Sequence, residues 1–283
     1  MTADDFLTVA GGGRRLAITD AQVHVWDRVA IPGREHRELP LGARELLLEM
    51  AKAGVKRAIL VPPSWGGDGN ALVVDAAEAQ PESFAVIGRV PFEDHAFRAT
   101  LEHWSPENGM LGLRLLFNTP EYVQLLRGGS IDWVWPVAEK HHIPLMILAH
   151  DSTDVLKRIA VDHPRLRLVV DHLGLRRGAS GPEFREGIER LLTLAAVPNI
   201  AVKATALPTY SEGDYPHLDV LAQIRRVIDG FSADRVFWGT DLSRLRCSYR
   251  QAVEMMSHLE WKDKHEVELV MGNAILTWLG WLD

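Results

Sequence analysis

Cysteine is nearly missing from this chain. Cys247 is the single one in 283 residues, so an intrachain disulfide is excluded and a reducing, cytosolic setting is expected. A surplus of positive charge is missing too, because the formal net charge is -7. No nucleic-acid partner is suggested. No apolar run approaches the roughly 20 residues a membrane span needs, so no membrane partner is expected. The opening residues, Met1-Thr-Ala-Asp-Asp-Phe6, show no basic stretch followed by an apolar one, and no secretory signal is expected. Gly11-Gly12-Gly13 follows no strand pattern, so it is not a phosphate loop. It reads as part of a flexible lead-in over residues 1–15. Low-complexity segments and internal repeats are also lacking. What is present is 47% hydrophobic and 24% charged, enough for one large core spanning residues 16–283.

That core is written as an alternation. Ile18 to Asp27 reads as a strand. Period-2 geometry puts Asp20, Gln22 and His24 on one face and Ala21, Val23 and Val25 on the other. Ala43 to Ala53 has a helical stripe of Leu46, Leu47, Met50 and Ala53, stopped by Gly54. Val55 to Pro62 is an apolar strand, and Asn70 caps the helix that follows. Further strands are expected at Phe84 to Val90, Met110 to Phe117, Ile143 to Ala149, Leu166 to Val170, Asn199 to Ala204 and Arg235 to Gly239. Helices fall between them around Ala96 to His103, Ile131 to His141, Asp154 to Asp162, Glu183 to Ala196 and Leu218 to Asp229, the last stopped by Gly230. Mostly continuous apolar strands that alternate with helices mean a parallel sheet buried on both faces. Eight such units in one chain of this length point to a closed (β/α)8 TIM barrel, a single domain. An open doubly wound sheet is the other arrangement, but the glycine fingerprint after the first strand is missing.

The polar residues cluster where such a barrel has its active face. His24, Arg114, His150, His172, Lys203 and Asp241 lie at or near the C-terminal ends of strands. Each also has a bland explanation, as a solvated loop residue or a structural ion pair. Trp26, Trp65, Tyr210 and Trp238 could wall a substrate, although nine tryptophans imply that most are core.

Several segments resemble the amidohydrolase superfamily, in its fuconolactonase-like and "amidohydrolase 2" branch. They are Asp20-Ala-Gln-Val-His-Val-Trp26, Gly54-Val-Lys-Arg-Ala-Ile-Leu-Val61, Pro81-Glu-Ser-Phe-Ala-Val-Ile-Gly88, Gly109-Met-Leu-Gly-Leu-Arg114, Val170-Asp-His-Leu-Gly174, Asn199-Ile-Ala-Val-Lys203, Phe237-Trp-Gly-Thr-Asp241 and Met271-Gly-Asn-Ala274. The resemblance covers nearly everything after residue 15. It implies the barrel and hydrolytic chemistry, often lactone opening, in some relatives decarboxylation. It places His24, His172 and Asp241 in the site. It departs at Gln22, where the family has the first histidine of a His-x-His pair. On the fifth strand Leu148 holds roughly the histidine's place, and His150 lies two residues on, facing the same way.

The departure bears on metal binding. Alternate imidazoles make a pincer for a transition metal, and an amide oxygen is a poorer donor. One divalent ion (Zn, Fe or Mn) on His24, His172, Asp241 and His150, with Gln22 as a weak ligand, stays open. So does a metal-free site. In either case Asp241 is the expected general base and His24 and His172 its catalytic companions. Without a metal, His24, His172 or Lys203 must stabilise the oxyanion. Arg114, with Lys203, Trp26 and Tyr210, is expected to hold the substrate, the guanidinium gripping a carboxylate. The leading expectation is a hydrolase of a small acyl C–O bond in a carboxylate-bearing lactone or cyclic ester. Thioester or ester hydrolysis, decarboxylation and a catalytically silent ligand-binding barrel are the alternatives. The partner is a small molecule, and homo-oligomer formation stays open.

Overall fold

The structure is a computed structural model that describes residues 6, 15–30, 35–65, 70–89, 95–105 and 109–281. The expected lead-in therefore lies outside the described residues, apart from Phe6 and Arg15. Phe6 is buried and stacks on Trp261, ring centroids 6.3 Å apart.

Eight strands run in chain order: β1 (Ile18–Val23), β2 (Val55–Leu60), β3 (Phe84–Arg89), β4 (Met110–Phe117), β5 (Leu145–Ala149), β6 (Leu168–Val170), β7 (Ile200–Thr205) and β8 (Val236–Gly239). Each pairs in parallel with the next. The helices between them are α1 (Ala43–Ala53), α2 (Ala71–Ala79), α3 (His95–Glu102), α4 (Pro120–Arg127), α5 (Val134–Lys140), α6 (Thr153–Asp162), α7 (Gly181–Leu192) and α8 (Leu218–Phe231). After β8 come α9 (Tyr249–Met255), α10 (Lys264–Glu268) and α11 (Ala274–Leu279). This is the expected single-domain (β/α)8 barrel. No helix among the described residues is long and apolar enough to cross a membrane.

Strand alternation sorts the core into two layers. Ile18, Leu60, Val86, Leu115, Ile147, Val170, Val202 and Trp238 face outward into the helices. Ile59, Ala85, Ile87, Met146, Val169, Ala201 and Phe237 fill the lower barrel, which Ala274, Ile275 and Leu279 of α11 plug. One pleat higher, the same inward rows carry Arg114, Asp171 and Lys203. The apolar plug thus occupies one end, and the polar side chains are left the other.

The first strand departs from simple alternation. Asp20 pairs with Ala58 and Val23 with Leu60, so three residues of β1 oppose two of β2. This is a bulge. Ala21 joins the inner layer, and the next residue, Gln22, reaches inward to Lys203. Asp20 is turned into the seam where β8 meets β1, so the expected shared face of Asp20, Gln22 and His24 fails at Asp20. There Asp20 Oδ1 accepts from the N–H groups of Gln22 and Thr240, each at 2.9 Å. Its Oδ2 accepts from the hydroxyls of Thr240 at 2.5 Å and Tyr249 at 2.7 Å. The Asp241 N–H donates to Gln22 O at 2.8 Å and completes the ring. Gly239 is required by this closure. A Cβ there would lie 2.8 Å from Asp20 Oδ1 and 2.9 Å from the Ala21 nitrogen.

Four local expectations need correction. β1 ends at Val23 instead of reaching Asp27. Asn70 makes no side-chain cap; its amide bridges the N–H and C=O of Arg89 instead. The helix over 218–231 continues through Gly230 because Phe231 is buried beneath it. Finally, α4 was not expected, although Thr119-Pro120-Glu121 carries a cap, an N1 proline and a first-turn acid, and Thr119 Oγ1 accepts from Tyr122 N.

Candidate active site

Three side chains meet at the barrel mouth. Asp241 follows β8 and His172 follows β6, and both sit in the left-handed region, with φ of 49° and 52°. Such backbone is uncommon for residues other than glycine, and it gathers at functional sites. Here it leaves both side chains buried at the same point. His24 Nε2 lies 3.1 Å from Asp241 Oδ1, and His172 Nε2 lies 3.7 Å from Oδ2.

The far nitrogens of both rings are tied. His24 Nδ1 lies 2.6 Å from Val61 O. A carbonyl only accepts, so that nitrogen carries the proton. His172 Nδ1 lies 2.7 Å from Thr205 Oγ1, and its Nε2 lies 3.2 Å from Arg114 Nη2. A guanidinium only donates, so Nε2 is the acceptor, and Nδ1–H donates a hydrogen bond to Thr205 Oγ1.

A second layer lies directly beneath. Asp171 Oδ2 accepts from Arg114 Nε at 2.6 Å, and Asp171 Oδ1 is 3.2 Å from Lys203 Nζ. Lys203 Nζ also donates to Gln22 Oε1 at 2.7 Å. Gln22 Nε2 is buried and has no hydrogen-bond partner among the described residues.

These contacts set the charge states. Burial would raise the Asp171 carboxyl, but the Lys203 and Arg114 charges overcome it and hold it well below the usual carboxylate range. Burial pulls the Lys203 ammonium down to about 8, against the opposing pull of Asp171. Burial likewise drags His172 down to about 3, with Arg244 and Arg114 adding to it and Asp241 and Asp171 resisting, so its imidazole is uncharged at neutral pH. Asp241 would be raised by burial, but His172, His24 and Arg244 outweigh that effect and keep it well below the carboxylate norm. It is ionised.

A cavity of about 300 Å³ opens above this group. His24, Arg114, His150, His172 and Asp241 line it. Leu148 lines it too, so both candidates for the fifth-strand position face the space. Lys203 and Gln22 do not; they are buried beneath. Trp26 is buried outside this wall, edge-on to Trp65, which does line the cavity. Tyr210 is buried behind His172, its hydroxyl donating to His172 O at 3.4 Å, so neither of these expected wall residues reaches the cavity. Sequence reasoning missed Asp171, although it stands in the Asp-His-Leu-Gly segment. It also missed Arg244, which lines the cavity with its Nη1 3.3 Å from Asp241 Oδ2. Arg244 lies three residues beyond Asp241, a spacing that a one-turn reach could have flagged. Arg177 and Glu35, which pair at 2.9 Å, belong to loops and gave no signal.

Three of the five candidate metal donors, Gln22, His172 and Asp241, already meet a cationic side chain, while His150 Nδ1 is buried with no partner among the described residues. Gln22 Oε1 accepts from Lys203, His172 Nε2 from Arg114, and Arg244 sits against Asp241. An ion on these atoms would have to displace three cationic donors of the chain itself. Among the described residues, no three His, Cys, Asp or Glu side chains are arranged to hold an ion. As they stand, His24, His172, Asp241, His150 and Gln22 do not fit a metal.

A family model described as Amidohydrolase matches residues 19–266. The L-fucono-1,5-lactonase of Burkholderia ambifaria is 27% identical over 247 residues, which cover 80% of this chain and 81% of that one. Among solved structures, an amidohydrolase from Burkholderia multivorans with bound zinc has a TM-score of 0.79 at 15% identity, over 93% of this chain and 99% of its own. A putative 2-pyrone-4,6-dicarboxylic acid hydrolase from Pseudomonas putida has a TM-score of 0.73 at 21% identity, over 95% and 100%. At such identities the solved structures show the shared fold.

Proposed function

The chain belongs to the amidohydrolase family, and from that premise we propose that it hydrolyses the ring ester of a small carboxylate-bearing lactone. The observation that carries this reading is Asp241, a buried and ionised carboxylate between two imidazoles on the cavity wall. The lactonase relative and the pyrone hydrolase neighbour are both named for cyclic esters, which supports the bond type.

Asp241 takes a proton from water as that water attacks the lactone carbonyl. The carbonyl oxygen becomes an oxyanion and needs positive charge. His172 cannot donate, because its Nε2 is an acceptor, and Lys203 lies beneath the cavity. Arg114 lines the cavity and takes that role in place of the expected substrate clamp. When the ring C–O bond breaks, the leaving alkoxide recovers the proton held on Asp241, and the product is an open hydroxy acid. Among the described residues, three guanidiniums, Arg114, Arg177 and Arg244, face two carboxylates, Glu35 and Asp241, around the cavity. The excess of one positive charge favours an anionic substrate. No step is routed through a metal. A cytosolic setting and a small-molecule partner go with this reading.

A lactone panel with and without a free carboxylate, followed by acid release in a pH-stat before and after chelation, tests it. Carboxylated δ-lactones should react fastest, and chelation should leave the rate unchanged. Silence on every lactone would sink the reading. Loss of turnover on chelation, restored by zinc or manganese, would sink the side-chain mechanism.

A further inference from the structure

The catalytic cavity does not end at its own rim. A second cavity of about 890 Å³ adjoins it, and Glu35, Arg177 and Arg244 line both. This threshold is built on the loop after β8. Ser243 Oγ donates to Glu35 Oε2 at 3.0 Å, and Ser243 O accepts from the N–H groups of His36 at 2.9 Å and Arg37 at 3.0 Å. The inner cavity is at the small end of ligand-site volumes and suits one ring. The outer one is roughly three times larger and opens directly from it.

The outer lining has a definite chemistry. Apart from Pro208, Cys247 and Gly178, every lining residue among the described ones has a polar or charged side chain, and none of them is Phe, Tyr or Trp. A wholly apolar arm would leave these polar groups unpaired. Donors and acceptors are both available. Gln251 gives Oε1 to the cap of α9 and leaves Nε2 uncommitted among the described residues. His217 Nδ1 lies 3.1 Å from Gly213 O, so its Nε2 is an acceptor. Arg246 makes no ion pair among the described residues. At the threshold, Arg244 is 10% exposed, and its Nε and Nη2 lack hydrogen-bond partners among the described residues. Buried guanidinium N–H groups left without an acceptor on a cavity wall are costly unless a ligand completes them. Hydroxyl groups both donate and accept, so a polyol suits such a lining better than a purely anionic or apolar group.

We propose that the outer cavity is a binding subsite for a polyhydroxylated arm, such as a second sugar ring, carried beyond the reacting lactone. The reacting end rests on the lactone reading above. The substrate class is therefore a carboxylate-bearing lactone that also carries a glycosyl substituent, with its ring carbonyl at Arg114, its carboxylate at Arg244 and its hydroxyls spread beyond the threshold.

Calorimetric titration with lactobionate and with gluconate tests the subsite without requiring turnover. The two acids share a polyhydroxy carboxylate end, and only lactobionate carries a second sugar. The wild type should bind lactobionate at least tenfold tighter. Arg246→Ala, an exposed substitution, should erase about tenfold of that preference, as expected for a lost hydrogen bond to a charged group, while gluconate binding changes less than twofold. Lactobiono-δ-lactone and glucono-δ-lactone turnover is compared in parallel. If both lactones react equally and both acids bind equally, the subsite is wrong and the lactonase reading stands. If the whole lactone panel, carboxylated members included, stays silent yet lactobionate keeps its Arg246-dependent advantage, the subsite stands and the lactonase reading falls. Loss of both acids from Arg246→Ala at an unchanged melting temperature would also overturn the subsite, because it would place Arg246 at the shared end.

Discussion

Asp20 in the β1–β8 seam and Asp241 at the mouth are both buried carboxylates, yet their environments push them in opposite directions. Asp20 is surrounded by neutral donors: two amides and two hydroxyls. Those bonds do not offset burial, and its carboxyl is raised to about 6. Asp241 meets imidazoles and a guanidinium, and it is held well below the carboxylate norm. Hydrogen bonds alone make a structural clasp, whereas positive charge makes a base that stays ionised across the physiological range. Asp171, with Lys203 and Arg114, shows the same rule one layer down.

The largest stability effect should come from removing a cation in the layer beneath the mouth. Lys203→Met leaves Asp171 with Arg114 alone and Gln22 Oε1 without its donor. Breaking a buried pair costs about 3–5 kcal/mol, to be read from urea denaturation. A loss below about 1 kcal/mol would mean the layer is not held by charge.

The seam gives a smaller effect with a definite sign. Asp20 is raised from 3.8 to about 6 in the folded chain. Between those values the folded state binds the extra proton, so this group's stabilisation is fullest at low pH and is lost as the pH climbs through 6. Asp20→Asn has no such titration. Relative to that variant, the wild type should lose on the order of 3 kcal/mol between pH 4 and pH 7, measured as paired denaturation midpoints. A flat difference across the window would show that Asp20 does not titrate in the seam.

The barrel was legible because its strands are nearly continuous apolar runs separated by helical stripes, whereas the register shift between β3 and β4 at Val86 and Ile87 left no mark in that pattern. His24, His172 and Asp241 were legible as polar residues just past strand ends, whereas Arg114 lies inside β4, three residues short of its end. The bulge in β1 was not, because nothing in Asp20-Ala-Gln-Val distinguishes regular alternation from an inserted residue. Its cause is the seam, where Asp20 must reach Thr240 and Tyr249, each more than 200 positions along. Lys203 was read as a strand-end residue, but it lies inside β7, two residues short of its end, and its depth was not visible. One pleat separates a side chain that lines the cavity from one that props it. Arg244 and Arg177 were hidden because loops carry no period.

The most direct measurement is turnover of Asp241→Asn on the best lactone, paired with its melting temperature. The amide keeps the shape and loses the basicity. The account predicts a folded protein whose kcat falls by at least about 10²-fold, the usual contribution of a general base. A folded variant that retains near-full turnover would contradict it.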